Sequence, residues 1–350
     1  MIEIKNLCKS YPLPDGSIAP VLRDINLTVA DQSITAIVGP SGAGKSTLSK
    51  CISLLEAPTS GSILVNGKDI SRLSGAALRH ERRAIGTIFQ SSALLHRKTA
   101  AQNIALPLEF LRVVHSDIDR RVRELLEAVG LTDKAHFYPA QLSGGQQQRI
   151  GIARALALHP KVLLSDEATS GLDPQVTESI LGLLKHLRDE FHLSIILITH
   201  EMDVVRAIAD DVAAISGGVL VEQGRIQDLV ANPDSALGRQ LVPLKTVEPT
   251  QPHHTTAEIT YGADGVVPED WLSTLAEQLN ARLKLLGANI ERVRGKLHGR
   301  ALLALDFKGV HPDAGTLHTV FHSLGLKASL GTAPLVPAHD VLLTKEKVYA

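Results

Sequence analysis

Gly39-Pro40-Ser41-Gly42-Ala43-Gly44-Lys45-Ser46-Thr47 follows the apolar run Ser33 to Val38, and this stretch decides the fold class. It fits G-x-x-x-x-G-K-[ST], a strand, a glycine-rich loop and a helix start. Gly42 and Gly44 let the loop close around phosphates. The loop N–H groups and the helix N-terminus face the anion, and Lys45 adds a full positive charge. Ser46 supplies a hydroxyl to Mg2+. A glycine turn before an ordinary helix has no need of Lys45 and Ser46, so the motif specifies a nucleotide and leaves the reaction open.

Outward from the loop, Val162-Leu163-Leu164-Ser165-Asp166-Glu167 is an apolar strand ending in two carboxylates. Beside a phosphate loop, Asp166 can hold Mg2+ through water, and Glu167 can polarise the water that attacks a γ-phosphate. Leu142-Ser143-Gly144-Gly145-Gln146-Gln147-Gln148-Arg149 opens a helix. Its serine hydroxyl and glycine N–H groups form either a second anion site or a plain N-cap.

Residues 1 to about 240 alternate buried strands with amphipathic stretches, an α/β pattern of a sheet covered by helices. Ser33 to Val38, Lys161 to Ser165 and Ser194 to Thr199 read as strands. Val176 to Phe191 reads as a helix with Ile180, Leu183, Leu184, Leu187 and Phe191 on one face. Val212 to Ile215 and Val219 to Val221 flank Gly217-Gly218 as a hairpin.

Here the chain resembles the ATP-binding subunits of ABC transporters, whose signature Leu-Ser-Gly-Gly-Gln stands at Leu142 to Gln146. The resemblance implies a P-loop NTPase cassette with a helical subdomain over residues 1–242. It also implies roles for further residues: Tyr11 stacks on adenine, Gln90 senses Mg2+ and the membrane partner, Asp173 of Ser170-Gly171-Leu172-Asp173 lies at the nucleotide, and His200 contacts the γ-phosphate and holds water and Glu167. Two copies would clamp two ATP molecules head to tail. Each pocket takes Gly39 to Thr47, Gln90, Asp166, Glu167 and His200 from one chain and Ser143, Gly144, Gly145 and Gln146 from the other. The metal would sit on Ser46, Gln90 and Asp166.

From Pro243 to Ala257 prolines, histidines and threonines replace the periodic pattern, the best linker candidate, set at 243–256. Beyond it the order is strand (Thr255 to Tyr261), helix (Glu269 to Asn280), strand (Arg282 to Arg294), strand (Arg300 to Phe307), helix (Asp313 to Leu324) and strand (Leu326 to Ser329). That is the ferredoxin-like β-α-β-β-α-β order, a small α+β domain over 257–331, with a bulge or bend expected at Gly287. The tail 332–350 gives no signal.

This ending resembles the regulatory domain of methionine-uptake ATPases, a family with a phrase like Gln102-Asn103-Ile104-Ala105-Leu106-Pro107-Leu108-Glu109. The resemblance implies a homodimer on the cytoplasmic face of the inner membrane, working with two integral-membrane permease subunits through Ser91 to Leu111 and with an extracytoplasmic substrate-binding protein. Methionine bound at the C-terminal domain would slow transport. Ser91-Ser92-Ala93 departs from the bulkier residues usual after the glutamine, and another amino acid or a lipoprotein is the competing cargo. A soluble ABC ATPase acting on ribosomes or DNA usually carries two cassettes or a long coiled coil, and neither is found here.

Composition excludes the rest. Across 350 residues, 44% hydrophobic and 21% charged residues suit a packed globular chain, and a net charge of −1 gives no bulk field for nucleic acid. Arg79-His80-Glu81-Arg82-Arg83 lacks interleaved aromatics and reads as a solvated helix end. No apolar run nears the roughly 18 residues of a membrane span, and the start lacks a secretion pattern. Cys8 and Cys51 form no metal-ligand or disulfide framework. Thr319 stands where a zinc protease would need Glu, so His318 and His322 read as a solvated helix face.

Overall fold

A computed structural model describes residues 1–89, 92–244, 255–262 and 270–331. Gln90, Ser91, most of the expected linker and the tail 332–350 lie outside the described residues.

The chain opens with strands β1 (Ile2–Pro12), β2 (Ile18–Val29) and β3 (Ile34–Val38), helix α1 (Lys45–Ile52), and strands β4 (Ser60–Val65) and β5 (Lys68–Asp69). Then come α2 (Gly75–Glu81), β6 (Ile85–Ile88), α3 (Ala100–Phe110), α4 (His115–Ala128) and α5 (Gly144–Ala155). The alternation resumes with β7 (Val162–Asp166), α6 (Pro174–Phe191), β8 (Ser194–Ile198), α7 (Met202–Ile208), β9 (Asp211–Ser216) and β10 (Val219–Arg225). Two short helices, α8 (Ile226–Ala231) and α9 (Ala236–Leu241), precede β11 (Thr255–Gly262) and α10 (Trp271–Gln278). A long hairpin of β12 (Ala281–Val293) and β13 (Lys296–Phe307) leads to α11 (Ala314–Ser323) and β14 (Lys327–Gly331).

The central sheet has the order β10-β9-β3-β8-β7-β6, with β3 parallel to both β8 and β9, and β7 parallel to β8 and β6. Every residue of β3 and of β8 is buried. This is why the sequence shows unbroken apolar runs there: both faces of a parallel strand are covered. A second, antiparallel sheet, β2-β1-β4-β5, packs Ile2, Ile4, Ile25, Leu27 and Ile63 into the core shared with Ile37 and Leu164.

The C-terminal strands form a third sheet, β12-β13-β11-β14, with β13 antiparallel to both β12 and β11, and β11 antiparallel to β14. With α10 and α11 packed on it around Leu275, Leu317 and Phe321, this is the ferredoxin-like unit expected from the strand and helix order. The β12–β13 register shifts between Leu285 and Gly287, at the position of the expected bend.

The chain divides into two compact units, Met1–Glu201 with Ile208–Gln223, and Met202–Ala207 with Gly224 onward. The division falls upstream of the boundary expected at residue 242, because α8 and α9 bond to the C-terminal sheet. Arg300 is 1% exposed and pairs with Glu258, and its guanidinium donates to the carbonyls of Asn232 (3.1 Å) and Pro233 (3.3 Å). Arg239 Nε donates to both Glu258 carboxylate oxygens at 3.0 and 3.1 Å. Thr260 Oγ1 donates to the Ala231 carbonyl at 2.8 Å.

Candidate active site

The parallel strands β3, β8 and β7 are neighbours, so the segments leaving their C-terminal ends meet at one edge of the sheet, where α/β folds bind ligands. β3 leads into the phosphate loop, β7 into Asp166 and Glu167, and β8 into His200.

In the loop, Lys45 Nζ donates to the carbonyls of Gly39 (2.7 Å) and Pro40 (2.9 Å). The ammonium is thus held inside the loop. A Cβ on Gly39 would stand 2.1 Å from the Ile215 carbonyl oxygen, so only glycine fits there. Gly44, at φ +102°, turns the chain into α1 in a conformation that favours glycine. Ser46 is exposed in the first turn of α1, where backbone N–H groups lack intrahelical partners. This donor set fits a phosphate with its counter-ion.

Asp166 Oδ2 accepts a hydrogen bond from Ser49 Oγ at 3.0 Å. Burial pushes the Asp166 carboxyl up, against the Ser49 bond; Glu167 adds to the rise and Lys45 opposes it. Burial pushes the Lys45 ammonium down, and Glu167 and Asp166 pull it back. Glu167 has a left-handed backbone (φ 49°), and its N–H donates to the Ile198 carbonyl at 3.0 Å. That turn carries its side chain to His200, with Nδ1 and Oε1 3.0 Å apart.

The structure therefore brings together Lys45, Asp166, Glu167 and His200, and adds Ser49, which the motifs do not mark. Ser49 lies four residues after Lys45, one helical turn along α1, and that spacing is the signal that could have found it.

Tyr11 stands near the end of β1. Its hydroxyl donates to Glu56, and Lys9 Nζ lies 4.8 Å from its ring centroid. Burial first, and then Glu56, push the phenol up. The sequence gives no sign of Glu56 as a partner, because the pairing crosses from β1 to the turn after α1.

Ser143 and Gln146 form a capping box on α5: Ser143 Oγ accepts from the Gln146 N–H (3.3 Å), and Gln146 Oε1 accepts from the Ser143 N–H (3.0 Å). A Cβ on Gly145 would stand 2.6 Å from Val176 Cγ1, so the packing of α5 on α6 itself requires glycine. Gly144 is exposed in the first turn. Asp173 caps α6, accepting from the Val176 N–H at 2.9 Å. The N-cap reading of Ser143 is thus present in the structure, beside an exposed helix start.

His318 and His322 are both exposed on α11, and the described residues contain no cluster of three or more metal-ligating side chains. Cys8 is half-buried; Cys51 is buried, and burial pushes its thiol up to about 11.

A phosphate loop, a carboxylate pair and a histidine at the edge of this sheet define a nucleotide hydrolase of the P-loop class. The family profile described as ABC transporter matches residues 22–170. The chain is 50% identical over 317 residues to the methionine import ATP-binding protein MetN 1 of Rhodococcus jostii, covering 91% of this chain and 93% of that one. It is 48% identical over 325 residues to MetN 3 of Pseudomonas fluorescens, with 93% and 97% covered. A dimeric cassette, MJ0796, solved in a post-hydrolysis state with ADP and Pi, superposes with a TM-score of 0.59 at 34% identity, over 64% of this chain and 98% of that one. The chain belongs to the ATP-binding subunits of ABC transporters, in the methionine-import ATP-binding family. It is an importer ATPase and binds ATP.

Proposed function

We propose that this chain drives methionine uptake, hydrolysing ATP as a homodimer on the cytoplasmic face of the inner membrane, and that its C-terminal unit senses the amino acid. The carrying observation is that identity to the methionine-import relatives runs over 91% of the chain, more than the cassette alone can account for.

In this reading Gly39 to Thr47 wrap the phosphates, and Ser46, Gln90 and Asp166 would hold Mg2+, which would supply positive charge against the phosphates. Glu167 accepts a proton from the attacking water, and His200 holds Glu167 in place at 3.0 Å. Adenine would stack on the Tyr11 face away from Lys9. Ser143 to Gln146 and Asp173 of the second copy would close the pocket; the MJ0796 cassette, itself dimeric, is consistent with that assembly.

Docking of two permease subunits is supported by a cleft of about 460 Å3 lined by Phe89, Leu95, Leu106, Pro107 and Arg154. It overlaps the segment 91–111, and Phe89 and Leu95 are exposed there. An extracytoplasmic binding protein would deliver the substrate. Among the described residues no helix is long and apolar enough to cross a membrane, so the permeation path is assigned to the partners.

The test is uptake into vesicles holding the whole transporter, with methionine or another amino acid added on the ATPase side. Methionine transport with inhibition by internal methionine is expected. Transport of a different cargo, with methionine inert on both sides, would overturn the assignment.

A further inference from the structure

The β1–β4 ladder ends at the Cys8–Ser60 pair, and at Tyr11 the strand paired with β1 is β2, through Ala19. Residues 12 to 18, which follow, are all exposed. The backbone therefore sets the place of the Tyr11 Cα but not the pose of its ring, and side chains do the rest. The hydroxyl donates to Glu56, and Lys9 Nζ lies 3.5 Å from Glu56 Oε2 and 4.8 Å from the ring centroid. The ring is thus pinned at its polar end and closed on one face. The Lys9 and Glu56 side chains are 15% and 26% exposed, so these contacts are largely shielded from competing water.

Glu56 is itself tied to α1, the helix that opens at Lys45. Its N–H donates to the Lys50 carbonyl at 3.1 Å, and its Oε1 lies 3.2 Å from Lys50 Nζ. The turn that carries it is laced to β1 as well. Lys9 Nζ donates to the Ala57 carbonyl (2.8 Å), the Thr59 N–H to the Cys8 carbonyl (2.8 Å), and the Ser10 N–H to Thr59 Oγ1 (3.0 Å). One carboxylate therefore joins the Tyr11 ring to the helix whose start cradles the phosphates. Base and triphosphate of a nucleotide are a set distance apart, and a ring already in place need not be ordered when the ligand arrives.

We propose that Glu56 is a positioning residue for ATP binding: by holding the Tyr11 hydroxyl it sets the ring at a fixed place relative to the phosphate loop, with the face away from Lys9 ready for adenine. This rests on the reading of Tyr11 as the adenine-stacking residue.

The test is calorimetry on the full chain with ATP and with tripolyphosphate, which has no base, for wild type, Glu56→Ala, Tyr11→Phe, the double variant and Tyr11→Ala. Tyr11→Ala should weaken ATP binding by about 5- to 150-fold, the worth of one base–aromatic stack. Glu56→Ala should weaken it by about 2- to 10-fold, the cost of ordering one side chain on binding, and leave tripolyphosphate binding unchanged. Tyr11→Phe keeps the ring and severs the same bond, so it should match Glu56→Ala. The double variant should be no worse than either, because residues acting through one another are not additive. Unchanged ATP affinity in Glu56→Ala beside a weakened Tyr11→Ala, equal losses for ATP and tripolyphosphate, or additive losses in the double variant would overturn the proposal alone. Unchanged ATP affinity in Tyr11→Ala would overturn the stacking reading and this proposal with it. Should Glu56→Ala not fold, Tyr11→Phe carries the same comparison of ATP with tripolyphosphate, since it breaks the tether from the ring side.

Discussion

At Glu167 a non-glycine residue occupies a left-handed backbone conformation, which costs on the order of 1–3 kcal/mol and persists only where the surroundings impose it. The bond from its N–H to Ile198 imposes it, and the result is a carboxylate turned toward His200. Glu167→Gln keeps the shape and loses the basic oxygen. Turnover should fall by at least about 100-fold while ATP binding persists; steady-state hydrolysis beside nucleotide binding by the same protein checks it, and normal turnover would refute the role. Lys45 makes the opposite case. Burial pushes its ammonium down, and two loop carbonyls fix its position. Lys45→Ala should weaken ATP binding by about 2–5 kcal/mol, the usual loss when one partner of a buried charge pair is removed. Unchanged affinity by calorimetry would displace the phosphates from this loop.

The helix start at Ser143 serves two demands at once. Its hydroxyl is committed to the capping box of α5, and Gly145 is required by Val176 on α6, so the Leu142 to Gln146 motif would be needed for folding even in a single chain. Ser143→Asp separates the demands: aspartate is as good an N-cap, but it sets a negative charge where a second copy's phosphate is expected. Ser143→Asp should therefore keep its thermal stability and lose hydrolysis. Mixed with Lys45→Ala chains it should regain part of the activity, because a head-to-tail heterodimer gathers both defects in one pocket. Heterodimers no more active than either parent would mean that each pocket comes from one chain. The elements themselves are legible in the sequence where burial is two-sided or periodic: β3, β7, β8 and α6 lie within a residue or two of their expected limits. Glu56 is not, because it acts through Tyr11, distant in sequence, and no local pattern records such a pairing; Ser49 is marked only by its spacing of one helical turn from Lys45. The expected boundary near residue 242 lies where periodicity fails, whereas the compact units divide by bonding, at Gln223.

Over the whole molecule, that division changes what truncation should do. A cut from Val247 onward removes the C-terminal sheet but leaves α8, α9 and the Met202–Ala207 stretch, whose partners it takes away. Arg239 loses Glu258; the carbonyls of Ala231, Asn232 and Pro233 lose Thr260 and Arg300; and Arg206 loses Glu291 and the Arg294 N–H. Each hydrogen bond exchanged for one to water costs about 0.5–1.5 kcal/mol net. The cassette core around Ile37, Leu48 and Ile198 is untouched, so the truncated chain should still fold. It should melt several degrees below the full chain, and exchange amide hydrogens faster in residues 202–207 and 226–241. If the C-terminal unit senses the amino acid, the same cut should abolish inhibition of uptake, since deleting a ligand's site removes its differential affinity for the two states. Melting curves, hydrogen exchange and vesicle uptake with amino acid on the ATPase side read these effects separately. A truncated chain as stable and as protected as the parent would refute the structural claim, and one equally inhibited would refute the regulatory one.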